Sequence, residues 1–289
     1  MSLIKRLLKD KAAFCALIVI TAYIILGVFA ETLTPYHPNA VDLERKFEGA
    51  SLAHWLGTDH LGRDILTRLI FAIRPSFLLV FLALFCSVAL GTIIGIVSGY
   101  FGKWVDAVAM RICDVMLSFP SYVMTLALVG MLGVGLKSII VAFILTRWAW
   151  FCRVIRTSVM QYRHSDAIKY ARTIGISHFK IMRTHIFPLI AADIAIVSSS
   201  SMVSMILQIS GFSFLGLGVK APTAEWGMMM NEARSVMFSH PKLMIIPGIA
   251  IAIIALSFNF LADALQLAVN PDLMRKRKSI KLKKGVAKE

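Results

Sequence analysis

Long uncharged apolar blocks alternate along this chain with short polar stretches. A helix needs roughly 20 mainly apolar residues to cross about 30 Å of hydrocarbon. Residues 12–30 form one such block, and residues 76–100 a second, with Gly91, Gly95 and Gly99 at four-residue spacing. Residues 115–136 form a third, interrupted only by Pro120. Residues 138–146 are too short alone, but 148–151 extend them into a fourth, which places Arg147 against protein or water rather than lipid. Residues 194–219, rich in Ser and Gly, are the fifth, and residues 243–262 the sixth. The pattern predicts an all-α polytopic membrane protein with six transmembrane helices.

Charge placement then orients the spans. Before the first block, Lys5, Arg6, Lys9 and Lys11 oppose Asp10, a net of +3. Residues 147–185 carry a net of +7, and the residues after Ala268 a net of +6. The 103–114 segment balances at zero, and the three remaining loops sum to +1. Lys and Arg stay in cytoplasmic loops, so the arrangement predicts both termini and residues 162–179 in the cytoplasm. Asp42 and Thr223 fall outside.

Composition agrees. Hydrophobic residues are 58% of the 289, charged residues 16%, and mean hydropathy is +0.75; a soluble domain carries charge on about a quarter of its positions. The net charge of +15 would suit a nucleic-acid binder, but its segregation makes it topological, with some attraction to anionic headgroups. The basic start followed by an apolar run resembles a signal peptide, yet the run exceeds an ordinary h-region and reads as an uncleaved anchor. Cys15, Cys86, Cys113 and Cys152 form no CxxC pair and behave as small apolar residues.

No loop holds an enzyme's equipment: GxxxxGK[ST], HExxH and GxSxG are all missing. His37, His54, His60 and His240 lack metal-ligand spacing, so no catalytic residue and no metal ligand is assigned. If ATP is used, another chain binds it. The most informative loop begins at Asp166, which is placed to cap a short helix that Gly175 ends. Ser177 is placed to cap a second helix that stops before Pro188. Phe179, Met182 and Ile186 recur at helical spacing. The segment is either a compact protrusion or an amphipathic stretch lying on headgroups.

This segment resembles the EAA loop of binding-protein-dependent ABC importer permeases. Asp166, Ala171, Arg172, Gly175, Ser177, Ile181, His185, Ile186 and Pro188 match that pattern in order, while Lys169 and Tyr170 replace its Glu and first Ala. The run from His54 to Arg68 resembles the HPLGTDxLGRDxLSR motif of peptide and nickel permeases. Residues 213–227 resemble their SFLGLGVxxPxxxWG motif, and Asn259 to Asp263 with Asn270 to Asp272 their ending, with departures at Ala262 and Gln266. The match is to the C-type subunit of dipeptide, oligopeptide and nickel importers. Ile209 to Ser213 leans towards the nickel or metal-chelate branch.

The resemblance implies a type I ABC importer permease fold in the bacterial plasma membrane. Residues 1–75 would hold the tail, first helix and external loop. Residues 76–272 would form a five-helix core with a coupling loop at 153–188, and 273–289 a basic cytoplasmic tail. Implied ATPase contacts are Asp166, Lys169, Tyr170, Ala171, Arg172, Gly175, Ser177, His178 and Pro188. Implied partners are a homologous second permease, two cytoplasmic ATPases holding ATP and Mg, and an extracytoplasmic substrate-binding protein. Gly57, Thr58, Asp59, Gly62, Arg63 and Asp64 fit a tight ion-paired external turn, either a structural clasp or a ligand contact. Gly211, Phe212, Ser213, Phe214 and Gly216 mark either tight packing or a gate. The resemblance implies a nickel or metal-chelate substrate, or alternatively a dipeptide or oligopeptide; a secondary transporter, the further alternative, would need midplane acids and a repeat.

Single-cysteine labelling in sealed cells tests the orientation, in a background without native cysteines. Thr223→Cys should react with an impermeant maleimide before permeabilisation. Labelling only afterwards would invert the topology.

Overall fold

A computed structural model describes residues 10–269. Among these residues every regular element is a helix, as lipid demands of backbone that must satisfy its own hydrogen bonds. Helix α1 spans Lys11–Val28, with Asp10 accepting from the amide of Ala12 at its start. A single turn follows, α2 (Ala30–Leu33), and then an extended excursion to α3 (Ile65–Phe71). Helix α4 (Ile73–Phe101) continues directly from α3, so the two together run from Ile65 to Phe101 over 37 residues.

Helix α4 packs along α7 (Leu136–Tyr162) through the predicted glycine ladder. A Cβ built on Gly91 would lie 2.5 Å from the Phe151 Cβ; one on Gly95 would lie 2.8 Å from the Cys152 carbonyl. One on Gly99 would lie 2.8 Å from the Val159 Cβ. No side chain fits at any of the three, and the absence of side chains is what allows the two backbones to touch.

Between these helices the predicted third span takes a different form. Residues 103–114 are not a loop: helix α5 covers Lys103–Ser118, starting from Gly102 at φ 65°. Helix α6 (Ser121–Leu132) leaves it at 86°. Pro120 sits at the bend and supplies no N–H, so the helical ladder cannot cross it. The sequence pattern missed α5 because its Asp106, Arg111 and Asp114 read as loop charges. In the fold, Asp106 pairs with Arg156 and Asp114 with Arg153, both on α7.

Helix α7 runs through Arg147 without a break, joining the two short predicted blocks into one 27-residue helix. Then come α8 (Asp166–Thr173), α9 (His178–Ile181), α10 (Phe187–Phe214), α11 (Trp226–Glu232) and α12 (Lys242–Val269). The fifth span therefore ends at Phe214, not at 219. Helix α12 carries Pro247 within its second turn. The main core gathers α1, α4, α7, α10 and α12, with Phe143, Phe151, Phe212, Trp226 and Phe258 buried in it. The predicted tail at 273–289, with Lys5, Arg6, Lys9, Asn270 and Asp272, lies outside the described residues.

Replacing Gly95 with Val should lower the apparent melting temperature of the purified permease by at least about 5 °C, given the 1–3 kcal/mol typical of overpacking. Fluorescence-detected size exclusion after heating measures it, and the neighbouring exposed Ile93→Val serves as the neutral control.

Candidate functional site

The elbow between α7 and α10 is built by backbone geometry. Gly175 has φ 79°, the left-handed region, immediately after α8. Its amide donates to the Arg172 carbonyl, and the Ile176 amide to that of Ala171, both at 3.0 Å. This is the paired closure that ends a helix on glycine. A Cβ at Gly175 would meet no other atom within 4 Å, so only conformation selects this residue.

Three local expectations shift. Ser165, not Asp166, occupies the N-cap of α8; Asp166 is the first helical residue and pairs with Lys169 at 3.1 Å. Ser177 does hold the N-cap of α9, but its hydroxyl makes no capping bond. Pro188 does not stop the helix. A π-turn at Met182–Ile186 lets the Phe187 amide reach the Met182 carbonyl, one residue farther than usual, and Pro188 falls in the first turn of α10. A proline is tolerated where its missing N–H has no helical partner to lose.

The elbow has two faces. Ile168, Ala171, Ile181 and Ile186 are buried and pack on Ile155, Val159 and Ile190. Tyr170 and Phe179 stand 67% and 69% exposed, with Ile174 beside them. The predicted set Phe179, Met182 and Ile186 thus splits between faces: Met182 and Ile186 pack on the buried cluster, while Phe179 is exposed. Lys169 and His178 also belong to this elbow. Tyr100, at the end of α4, was missed: its hydroxyl accepts from Arg172 Nε at 3.2 Å and lies 2.8 Å from His178 Nδ1. The Arg172 guanidinium covers the Tyr100 ring at 4.5 Å. An aromatic at the end of an apolar span reads as an interface residue, so nothing local points to the elbow.

At the other end of α3–α4 lies the predicted ion-paired turn. Gly57 and Gly62 both have positive φ, and added side chains would strike the carbonyls of Glu48 and Asp42. Thr58 bridges to Asp64. The adjacent Arg63 and Asp64 do not pair with each other. Arg63 donates to Asp59 at 2.7 Å and to Glu232 at 2.8 Å, while Asp64 lies 2.9 Å from His54 Nδ1 and caps α3 at Thr67. Arg68 joins, donating to Glu232 at 2.7 Å and to the Pro38 carbonyl at 3.2 Å. Arg63 and Arg68 are each 1% exposed, so Asp59 and Glu232 must balance two buried guanidiniums. Glu232 arrives from α11, more than 160 positions away, which is why no local spacing announces it.

The predicted gate segment is helical up to Phe214. Gly211 faces open space, and Phe212 packs against Tyr122 at 5.3 Å and edge-on to Phe143 at 5.8 Å. Gly216, at φ 80°, closes α10 by donating to the Ser213 carbonyl. Phe214 offers its carbonyl to Asn231 Nδ2 at 2.6 Å. Gly218, not Gly211, makes the close approach: its Cβ would strike Ser213. Beyond the span, Glu225 is wholly buried, caps α11 at the Met228 amide and accepts from Ser76; burial pushes its carboxyl up. Among the described residues, no three His, Cys, Asp or Glu side chains are placed to hold a metal.

Comparison with known proteins places this geometry. Residues 91–275 match the family model for the binding-protein-dependent transport system inner membrane component. Residues 2–51 match that for the N-terminal TM domain of oligopeptide transport permease C. The metal-staphylopine import system permease protein of Staphylococcus aureus is 64% identical, over 99% of both chains. The nickel transport system permease protein of Escherichia coli is 37% identical over 90% of this chain and 94% of its own. A dipeptide transport system permease protein of Alkalihalophilus pseudofirmus is 35% identical over 93% and 88%. In three dimensions the chain is similar to the inward-facing MetNI methionine ABC transporter, with TM-score 0.52, covering 68% of this chain and 96% of that one at 13% identity. That likeness shows a shared fold.

Gly175→Val should leave the permease inserted at normal abundance while reducing transport at least about tenfold, since a β-branched residue is strongly disfavoured in the left-handed region. Gly175→Asn, which tolerates that region and meets no neighbour, should retain most transport. Uptake in membranes with matched permease amounts checks both, and equal loss in the two would remove the conformational argument.

Proposed function

The chain belongs to the binding-protein-dependent transport system inner membrane component family, and on that premise we propose that it imports metal–chelate complexes as one permease half of an ATP-driven pore. It is a transport component rather than an enzyme, and a multi-pass protein of the bacterial inner membrane. The observation that carries the substrate class is the 64% identity, across 99% of each chain, to a metal-staphylopine import permease. The nickel permease relative supports the same class at 37% identity, and the dipeptide relative at 35% keeps peptide as the second reading.

A permease of this family works with a partner permease, ATPase subunits and a substrate-binding protein. In the proposed assembly the partner permease is a homologous but different chain. Two cytoplasmic ATPases hold ATP and Mg, and the binding protein delivers substrate from outside. Asp166, Lys169, Tyr170, Arg172, Gly175, Ser177 and His178 form the surface that meets an ATPase, with the exposed Tyr170 and Phe179 as its apolar points. When the ATPases close on ATP, the elbow is drawn inwards and the pore turns outwards. Swinging a two-state pore from 1:99 to 99:1 takes about 5.5 kcal/mol of differential binding. The buried isoleucines behind the elbow and the Tyr100 contacts give it the rigidity to transmit such a force.

Uptake of the nickel-63 staphylopine complex tests the substrate class. Cells lacking the permease should accumulate at least about tenfold less than complemented cells, the scale of a lost transport step. A labelled dipeptide should enter both equally. Permease-dependent uptake of the dipeptide without that of nickel would reverse the assignment.

A further inference from the structure

Arg147 sits eleven residues into α7, about 16 Å from its first residue at 1.5 Å per residue. That is half of a hydrocarbon layer about 30 Å thick, too deep for the side chain to snorkel to either surface. The Nη2 atom is buried and has no hydrogen-bond partner among the described residues. Four other arginines in or beside the helices contrast with it. Arg63 and Arg68 are met by Asp59 and Glu232, Arg153 by Asp114 and Arg156 by Asp106. No ion pair among the described residues includes Arg147.

Its surroundings are polarised towards one place. The Tyr122 phenol of α6 interacts with it electrostatically. Tyr122 is half exposed and packs on Phe212 of α10, which in turn packs on Phe143, one helical turn before Arg147. The guanidinium therefore lies where α6, α7 and α10 converge, beside the predicted gate segment. An ionised side chain at that depth pairs with an opposing charge or with backbone carbonyls, or faces a water-filled cavity, and no ion pair to Arg147 comes from this chain's described residues.

We propose that Arg147 is a binding residue for a carboxylate on the translocated substrate, at the middle of the membrane. The inference rests on the importer reading above and deepens it. Small organic chelators hold divalent cations through oxygen and nitrogen donors, carboxylates prominent among them, so the complex presents carboxylate oxygens at its edge. A peptide presents its terminal carboxylate in the same way. The planar guanidinium fork engages such a group through two parallel hydrogen bonds, and the low local dielectric strengthens them. A bare divalent cation meets repulsion at the same point. Arg147 thereby favours the chelate over the free metal inside the pore, a discrimination separate from the binding protein's.

The test compares wild type, Arg147→Gln, Arg147→Lys and Arg147→Glu in cells carrying the complete importer. Nickel-63 is supplied as the same staphylopine complex. Permease abundance and co-purification of the second permease and the ATPases are measured alongside uptake. Gln should lower the maximal uptake rate at least about tenfold at unchanged assembly, Glu should abolish uptake, and Lys should fall between wild type and Gln, because it keeps the charge but loses the fork. Uptake by the Gln variant equal to wild type overturns the inference. So does a Gln variant that loses the second permease on purification, which would give the opposing carboxylate to that subunit. Wild-type cells that take up no more nickel than permease-deleted cells would instead overturn the metal–chelate reading on which this inference rests.

Discussion

The backbone contact between α4 and α7 is the constraint on which the rest of the structure depends. Lipid tails are as apolar as leucine, so helices in a membrane gain little from burying apolar side chains against one another. They hold together by close van der Waals contact, and Gly91, Gly95 and Gly99 bring α4 against the Phe151, Cys152 and Val159 turns of α7. The pair positions everything that follows. Helix α5 lies against α7 through two carboxylate–arginine pairs, and α6 packs across the turns around Thr146, where its Thr125 hydroxyl lies 3.2 Å from that of Thr146.

Helices α3 and α4 give that contact a mechanical meaning. They form one rod of 37 residues, about 55 Å long at helical rise. Its first two turns carry Arg68 in the buried ion cluster with Glu232; its last turn carries Tyr100 against Arg172 and His178. The ion cluster at Arg68 and the elbow are therefore attached to opposite ends of one nearly continuous helical element. A displacement of the elbow need not pass through a chain of small side-chain shifts. It can reach the far face as movement of one body, which is how packed helices transmit motion when they cannot deform gradually.

What could be read from the sequence follows from where each signal is stored. Five apolar blocks and the glycine ladder are local patterns, and they translate directly into α1, α4, α7, α10 and α12. Gly175 and the positive-φ glycines of the ion-paired turn are equally local, because a left-handed residue is chosen by its own backbone. The failures share a cause. Helix α5 carries charges that look like loop charges until Arg153 and Arg156 neutralise them from another helix. Pro188 looks like a terminator until a π-turn displaces its missing bond. Glu232 and Tyr100 are chosen by partners far along the chain, and no spacing rule reaches that far.

Arginine shows how strongly such partners decide a residue's meaning. In sequence, Arg63, Arg147 and Arg156 are all basic residues in or beside apolar runs. Burial distinguishes none of them by itself, since all three lose water to some degree. What separates them is the countercharge: Arg63 has two carboxylates, Arg156 has one, and Arg147 has none among the described residues. Removing a partner from a buried charge typically costs about 3–5 kcal/mol, so a paired arginine serves stability and resists change. A charge left unpaired at mid-membrane makes no such contribution to this chain's own fold. On the proposal above, the countercharge for Arg147 is a group that comes and goes with each transport cycle, so its place in α7 serves binding rather than the fold.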